Sequence, residues 1–239
     1  MKLSYRLKTV ASFVTKGSIV ADIGTDHGYI PIYLVEEGIS PRAFAMDVRT
    51  GPLERAELHI REHGLEEKIE TRLSDGLEQL NPGEADCVVI AGMGGELMIH
   101  ILEQGRKLWT NVREWILSPH SEIEKMRYFL WQNGFQVVEE AMVLDEGKYY
   151  TVLKAIKENP ENSGKESGEP WAGELRYGKL LIERKDPVLL SYLEQEKGKL
   201  EQVLENLRGS GADSERIRDR IGQVEQELKL MEDIYEKMQ

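Results

Sequence analysis

Short apolar runs alternate with helical patterns over the first two thirds of the chain. Seven runs have the length of strands, and most of the gaps between them show the apolar spacing of an amphipathic helix. Continuous apolar strands separated by helices indicate a mostly parallel sheet covered on both faces. The predicted strands are SIVADI (18–23), AFAMDV (43–48), IETRLS (69–74), ADCVVIAG (85–92), EWILSP (114–119), QVVEEAMVL (136–144) and YYTVLKAI (149–156).

The order of these elements narrows the fold class. The last two strands are separated only by the turn-like segment DEGKYY, so they are expected to form an antiparallel hairpin at one edge of the sheet. Parallel strands followed by a terminal hairpin are expected of a class I methyltransferase, whereas a dinucleotide-binding domain would continue with another βαβ unit. We therefore predict an α/β, Rossmann-like methyltransferase domain. Its helices are predicted at 3–16, 29–37, 51–63, 95–105 and 121–133.

The composition changes after residue 156. The segment KENPENSGKESGEP (157–170) is polar, rich in glycine and serine and bounded by prolines, which predicts a linker over 157–172. A short helical stretch at 173–184 follows, and then two long amphipathic segments joined by RGSGADS. The predicted domains are therefore a methyltransferase domain (1–156), the linker (157–172) and a helical domain (173–239).

The two long segments carry the apolar period of a coiled coil. Their apolar residues follow spacings of three and four, interrupted once by Lys197, and the short glycine-containing turn makes the two helices antiparallel neighbours. We therefore predict an antiparallel helical hairpin in a protein that is expected to be a monomer, with a dimer through this hairpin as the alternative. The predicted seam consists of Leu190, Leu193, Leu200, Leu204 and Leu207, with Ile217, Ile221, Val224, Leu228, Met231, Tyr235 and Met238.

Charge and cysteine content exclude several classes of protein. The chain has 43 acidic and 31 basic residues, a formal charge of −12, which disfavours general binding to polyanions but allows a local basic face. No apolar run is long enough to cross a membrane, and charges interrupt the first residues before a signal peptide can form, which predicts a cytoplasmic protein without membrane contact. Cys87 is the single cysteine and the histidines form no H-E-x-x-H motif, so no metal site is predicted. His59 and His63 are expected on an exposed helix face.

The stretch VADIGTDHGYIP (20–31) carries the first candidate site. Strand one ends at Asp22, and Gly24 and Gly28 permit the tight turn that a ligand at a helix N-terminus requires. Asp26 and His27 stand where a dinucleotide-binding turn carries small residues, and the Asp26 carboxylate would repel a diphosphate. S-adenosylmethionine has no phosphate and carries a cationic ammonium and sulfonium, so the acidic turn favours this cofactor.

Further cofactor-binding residues are predicted after the next three strands. Asp47, followed by Val48, ends strand two, where an acidic side chain can accept both hydroxyls of an adenosine ribose. Asp75 can accept from the adenine amine, while Gly76 lets the ring lie close. The fourth strand runs into IAGMGG, whose small residues leave room for the ligand at the carboxyl edge of the sheet. The residues predicted there are Ala91, Gly92 and Met93.

The ordered set LSYRL, VADIGTDHGYIP, MDVRTGPLERA, LSDGL, VVIAGMGGELM and GKYYTVLK resembles the bacterial tRNA adenine-22 N1-methyltransferase family, TrmK. The resemblance covers residues 1 to about 156, and the helical hairpin is similar to the second domain of the family. It implies methyl transfer from S-adenosylmethionine to N1 of an adenine in tRNA. The sequence departs from the family pattern at Ser118, which precedes Pro119 in place of a longer amide side chain.

Adenine N1 attacks with its own lone pair and loses no proton, so the implied reaction needs positioning more than a strong base. Asp26, accepting from the adenine amine, and Tyr29, stacking on the ring, are the candidate catalytic residues. An alternative is that Asp26 and His27 only cap the helix that starts near Tyr29.

Binding of tRNA requires basic side chains gathered on one surface. Two other functions stay open at this point: methylation of a protein or small molecule, and a non-enzymatic scaffold whose hairpin binds a partner. The candidate tRNA-binding residues are Lys2, Arg6, Lys8, Arg49, Arg72, Arg127, Lys179, Arg184 and Lys185.

Overall fold

The computed structural model describes residues 2–157, 168–209 and 215–239. The chain forms two compact units, residues 1–170 and 171–239. Most of the linker predicted at 157–172 lies outside the described residues, as does most of the turn predicted between the two long helices.

The described residues of the first unit form seven strands: β1 (Val20–Ile23), β2 (Ala43–Asp47), β3 (Ile69–Leu73), β4 (Cys87–Ala91), β5 (Glu114–Ser118), β6 (Phe135–Asp145) and β7 (Lys148–Lys157). They form one sheet in the order β3-β2-β1-β4-β5-β7-β6. The first five strands are parallel, and β7 pairs antiparallel with both β5 and β6. The predicted parallel sheet with a terminal hairpin at one edge is confirmed.

Five helices accompany the sheet in the described part of this unit: α1 (Tyr5–Ser12), α2 (Tyr29–Glu36), α3 (Thr50–Glu62), α4 (Gly95–Gln104) and α5 (Ile123–Gln132). Each lies within about two residues of its predicted range except α1, which ends at Ser12 rather than at residue 16. The helix stops early because the amide and hydroxyl of Thr15 both donate to the buried Glu114 carboxylate, at 2.9 and 2.6 Å.

The core has two apolar layers, one on each face of the sheet. Met98 of α4 and Leu130 of α5 pack in one layer, while Val10 of α1, Ile32 of α2 and Ala56 of α3 pack in the other. Alternate strand residues enter opposite layers, as the pleat requires. Both faces of the sheet are therefore covered, and the ends of its strands are the place where such sheets bind ligands.

The second unit contains α6 (Ala172–Tyr177), α7 (Lys179–Glu183), α8 (Pro187–Gly209) and α9 (Glu215–Lys237). The helix predicted at 173–184 is two short helices, because Gly178 between them has a φ of +95° that a helix cannot contain.

The helices α8 and α9 run antiparallel. Lys197 pairs with Glu232 at 3.3 Å, whereas Arg208, further along α8, pairs with the earlier residue Glu225 at 2.6 Å. The predicted seam is wrong at one position of α9. There Ile234 is buried, and the neighbouring Tyr235 is half-exposed and donates its hydroxyl to Glu194.

No helix in the described parts of the chain has the length and apolar content needed to cross a membrane. Within the same residues, no group of His, Cys, Asp or Glu side chains is arranged to hold a metal ion.

Two arginines predicted to contact tRNA have structural roles. Arg127 is buried in α5, and its guanidinium pairs with the buried Glu140 at 2.6 Å, so the prediction for this residue is wrong. Arg72 lies over the Phe44 ring and pairs with Glu70 and Glu84 at 2.6 and 2.8 Å. These two ion pairs argue against a phosphate contact for Arg72, and its tRNA contact stays a prediction.

The buried pair makes a prediction about stability. Arg127→Ala removes the guanidinium that compensates the buried charge of Glu140, which we expect to lower the free energy of unfolding by about 3–5 kcal/mol in urea titrations. Arg113→Ala is the matched control, because Arg113 is exposed and its loss should cost about 1 kcal/mol or less. A similar small effect for both variants would contradict the structural role of Arg127.

Candidate active site

The loops that follow the parallel strands meet along the carboxyl edge of the sheet and are tied to one another. The amides of Gly24 and Thr25, after β1, both donate to the carbonyl of Met46 in β2, at 2.8 and 3.0 Å. The Gly92 amide, after β4, donates to the carbonyl of Ser118 in β5 at 3.2 Å. This is the edge at which open α/β sheets bind their ligands.

The glycine turn after β1 is held closely against the loop after β4. Gly24 has a φ of +74°, and a Cβ atom on this residue would lie 2.0 Å from the terminal methyl of Met93. Gly28, with a φ of +72°, is the N-cap of α2. A Cβ atom on Gly28 would lie 3.3 Å from the Cβ of Ala56. The conformations predicted for the two glycines are therefore present, and Met93 lies directly beside the turn.

Two carboxylates are buried at the ends of adjacent strands. Asp22 is the next-to-last residue of β1 and is only 4 % exposed. Burial, together with the nearby negative charge of Asp47, raises the pKa of its carboxyl to about 7. Asp47 is 5 % exposed, and its Oδ1 accepts from the Arg49 amide at 2.9 Å. A buried carboxylate with a raised pKa at this edge of the sheet, such as that of Asp22, is characteristic of a ligand-binding site.

Asp26 is exposed and adopts a left-handed φ of +49°. Its Oδ1 pairs at 2.8 Å with Arg55 of α3, and its Oδ2 lies 3.5 Å from Nε2 of His27. Among the residues that the structure describes, the side chains of Asp26 and His27 form no hydrogen bond to the backbone of α2, whose N-cap is Gly28. The alternative that these two residues merely cap the helix is therefore wrong.

Three aromatic rings stack beside this turn. The His27 and Tyr29 ring centroids are 5.0 Å apart, and His59 of α3 lies 5.6 Å from each of them. His59 is half-buried and its Nδ1 donates to the His27 carbonyl at 2.9 Å, so the prediction of an exposed position for it is wrong. His63 is exposed, as predicted, and its Nδ1 lies 2.6 Å from Glu36.

Sequence analysis missed the contribution of Arg55 and His59 to the site. Their four-residue spacing places both on one face of α3, directed at the glycine turn. That spacing was the available signal, but a charged residue and a histidine on an amphipathic helix are equally typical of a solvated face.

The remaining predicted cofactor residues lie along the same edge. Val48 and Asp75 are exposed, Gly76 has a φ of +52° and approaches Ile101, Ala91 is half-buried, and Gly92 has a φ of +87°.

The predicted basic residues are divided between the two units. Arg6 is half-buried in α1, and the exposed Arg49 lies 3.8 Å from the Asp47 carboxylate. Lys179, Arg184 and Lys185 belong to the second unit, where the last two are exposed.

The mostly parallel sheet with its terminal hairpin, and the acidic side chains after its first three strands, define a Rossmann-like methyltransferase. Residues 3–153 match the family model described as a methyltransferase domain. The chain is also 32% identical to the tRNA (adenine(22)-N(1))-methyltransferase of Bacillus subtilis (strain 168), over 98% of this chain and 97% of the other. It belongs to the tRNA (adenine(22)-N(1))-methyltransferase family, TrmK.

Two solved structures are similar over nearly the whole length of both chains. Sp1610 of Streptococcus pneumoniae, crystallised with S-adenosyl-L-methionine, is 32% identical with a TM-score of 0.83, over 98% of this chain and 99% of that chain. TrmK of M. capricolum, in complex with S-adenosyl-homocysteine, is 26% identical with a TM-score of 0.76, over 97% of this chain and 100% of that chain.

The contact between Gly24 and Met93 predicts a difference between two glycines with similar backbones. Gly24→Ala adds both left-handed strain and a methyl group in the place of the Met93 side chain. Gly38→Ala, at a φ of +63°, adds the strain alone, because a Cβ there meets nothing within 4 Å. In urea titrations we expect Gly38→Ala to cost about 1 kcal/mol and Gly24→Ala up to about 1 kcal/mol more, because the added methyl group displaces the end of the flexible Met93 side chain. A smaller loss in Gly24→Ala than in Gly38→Ala would contradict this contact.

Proposed function

We propose that this protein transfers the methyl group of S-adenosylmethionine to N1 of adenine 22 in tRNA. The observation that carries the proposal is the acidic, glycine-lined carboxyl edge in a chain that aligns along 98% of its length with a tRNA (adenine(22)-N(1))-methyltransferase. Membership of this family favours tRNA over the two other functions considered from the sequence, a protein or small-molecule methyltransferase and a non-enzymatic scaffold.

The residues at the edge fit S-adenosylmethionine. Asp47 is the proposed acceptor for the ribose hydroxyls, since its Oδ1 is held by the Arg49 amide and the structure assigns no hydrogen bond to its Oδ2 within the described residues. Asp22 offers a buried carboxylate to the cationic methionine end. At Gly24 the Met93 side chain occupies the space that a Cβ atom would fill, so the cofactor is proposed to lie against Met93 at this turn.

The other cofactor contacts are proposed along the same edge. Asp75 would accept from the adenine amine, with Gly76 and the exposed Val48 beside the ring. Ala91, Gly92 and Met93 would border the methyl group from the β4 side.

When bound, the cofactor supplies an electrophilic methyl group on its sulfonium. The target N1 attacks with a lone pair that is free in neutral adenine, so the protein has no proton to remove from it. The chain must therefore hold the base in one orientation, with N1 in line with the methyl group. Because N1 lies on the Watson–Crick edge, the base must first be unpaired.

The roles predicted for Asp26 and Tyr29 need revision. The Asp26 carboxylate is held by Arg55, on the helix that follows β2, whereas Gly92 follows β4, on the other side of β1 in the sheet. This placement argues against an Asp26 contact with the target adenine amine. We propose instead that Asp26, His27 and Tyr29 shape the turn against the methionine end of the cofactor.

The second unit is proposed to add phosphate contacts to tRNA. Its exposed Arg184 and Lys185, and the half-buried Lys179, are basic side chains suited to the sequence-independent part of RNA binding.

The proposed function predicts one product. Unmodified tRNA incubated with the protein and methyl-labelled cofactor should yield 1-methyladenosine when its nucleosides are separated by mass spectrometry. A transcript with guanine at position 22 is the control substrate and should accept no label. Label in N6-methyladenosine, or in no nucleoside, would refute the proposal.

Asp47→Ala should weaken cofactor binding on the order of tenfold, because it removes a charged hydrogen-bond acceptor.

The raised pKa of Asp22 predicts a pH dependence. With a value of about 7 in the folded chain, the carboxyl binds a proton that the unfolded chain releases near pH 4, so its contribution to stability falls as pH rises from about 4 to about 7. A nearby ammonium group favours the ionised form, so S-adenosylhomocysteine, which carries one, should bind more tightly as pH rises from 6 to 8 and should release a proton. Calorimetry in buffers with different ionisation enthalpies measures both effects.

Asp22→Asn is the control for this pH dependence. The variant should lose the proton release and bind with an affinity that changes less across the same range. An identical pH profile in the variant and the wild-type protein would exclude Asp22 as the titrating group.

A further inference from the structure

A second cluster of side chains lies at the β4 end of the same edge and has no role in the cofactor contacts described above. Arg6 of α1, His120 after β5 and Tyr150 of β7 come together from three separate parts of the chain. Arg6 Nη1 lies 3.1 Å from His120 Nε2, the Arg6 guanidinium lies 5.1 Å from the centre of the Tyr150 ring, and the His120 and Tyr150 rings are 5.5 Å apart. We call this the Arg6–His120–Tyr150 cluster.

The cluster borders the loop after β4. A Cβ atom on Gly92 would lie 3.8 Å from Arg6 Nη1 and 3.9 Å from the His120 ring. The His120 amide donates to the Met93 carbonyl at 2.9 Å, and the Met93 side chain in turn contacts Gly24. The cluster is therefore continuous with the proposed cofactor site, on the side away from Asp47 and Asp26.

The positive charge of Arg6 is available to an anion. In the part of the chain that the structure describes, no carboxylate forms an ion pair with its guanidinium, whereas Arg49, Arg55 and Arg127 all pair with carboxylates. Asp145 lies nearby, but its carboxylate accepts from the Arg6 backbone amide at 3.0 Å and so fixes the start of α1 to the hairpin. A guanidinium has five N–H donors, and one donor directed at His120 leaves others free.

His120 is held in its neutral form. Because arginine can only donate, His120 Nε2 must accept, and the ring proton lies on Nδ1. One side of the ring faces solvent, but burial of the other side, with the positive charges of Arg6 and Lys148, lowers the pKa of His120. The cluster thus combines an arginine, a neutral hydrogen-bond donor and an aromatic ring.

We propose that the Arg6–His120–Tyr150 cluster receives the target nucleotide of the tRNA, with Arg6 on its phosphate and His120 and Tyr150 against its base. The inference rests on the proposed function and assigns a place to the substrate. Unpaired bases are commonly held by stacking on aromatic side chains, and arginine binds phosphate through paired donors. A base in this position has its reacting edge next to Gly92 and Met93, where the methyl group is proposed.

The test removes the charge of Arg6 and the ring of Tyr150 in separate variants. Arg6→Gln keeps an N–H donor for His120 but removes the charge, and Tyr150→Ala removes the ring that Tyr150→Phe retains. Arg113→Gln is the matched control for charge, because Arg113 is exposed at the start of β5, the opposite end of the sheet. For each variant, affinity for tRNA is measured at several salt concentrations, the methylation rate in a single turnover at saturating tRNA, and affinity for S-adenosylhomocysteine by calorimetry.

Removal of a phosphate contact should flatten the dependence of log K on log salt by about 0.7 to 0.9 for Arg6→Gln and leave it unchanged for Arg113→Gln. Loss of base stacking should slow Tyr150→Ala about tenfold or more, while Tyr150→Phe stays within about twofold of the wild-type rate. All four variants should bind S-adenosylhomocysteine as the wild-type protein does.

An unchanged salt dependence in Arg6→Gln, or a wild-type rate in Tyr150→Ala, would overturn the inference. So would a loss of cofactor affinity that parallels the loss of activity, because the cluster would then only support the fold. These outcomes differ from failure of the proposed function, in which the wild-type protein itself forms no 1-methyladenosine.

Discussion

The close contact between Gly24 and Met93 organises the site. It brings the loop after β1 against the loop after β4, two strands that are neighbours in the sheet, and it exists only because Gly24 has no side chain. Asp47 ends β2, on one side of β1 in the sheet, and Gly92 follows β4, on the other side. Under the proposed function, the contact therefore separates a cofactor side at Asp47 from a substrate side at Gly92 and the Arg6–His120–Tyr150 cluster.

Buried carboxylates in the core of this protein are paired with cations, whereas the buried carboxylate of Asp22 at the carboxyl edge of the sheet is not. Glu140 and Glu114 are buried, but each pairs with a cation, Arg127 or Lys154, so the charges are compensated within the fold. Asp22 lies at the ligand edge, and the pKa of its carboxyl rises because burial is not balanced by a cation. A charge that is costly in the unliganded protein is one that a cationic ligand can stabilise, which is the physical basis for assigning Asp22 to binding.

The strands and glycine turns could be predicted because their determinants are local. A continuous apolar run predicts a buried strand, and the glycines of VADIGTDHGYIP predict the left-handed conformations that Gly24 and Gly28 adopt. Side-chain partners were harder to predict. An arginine on an amphipathic helix is typical of the protein surface. Arg127 is nevertheless buried, where it pairs with Glu140 of β6.

The substrate side could not be predicted for the same reason. Arg6, His120 and Tyr150 are far apart in the chain, and no spacing in the sequence relates them. They meet because the antiparallel strand β7 lies beside β5 and α1 packs against the hairpin. The contacts of Arg55 and His59 with the glycine turn could not be predicted either, because they depend on how α3 packs.

A crystal structure of the protein with S-adenosylhomocysteine tests this account most directly. The account predicts ribose hydroxyls within hydrogen-bond distance of Asp47 and a sulfur atom directed past Met93 and Gly92, toward the Arg6–His120–Tyr150 cluster. A cofactor that makes no contact with Asp47, or whose sulfur faces the Asp26–Arg55 pair instead, would contradict the division of the edge into cofactor and substrate sides.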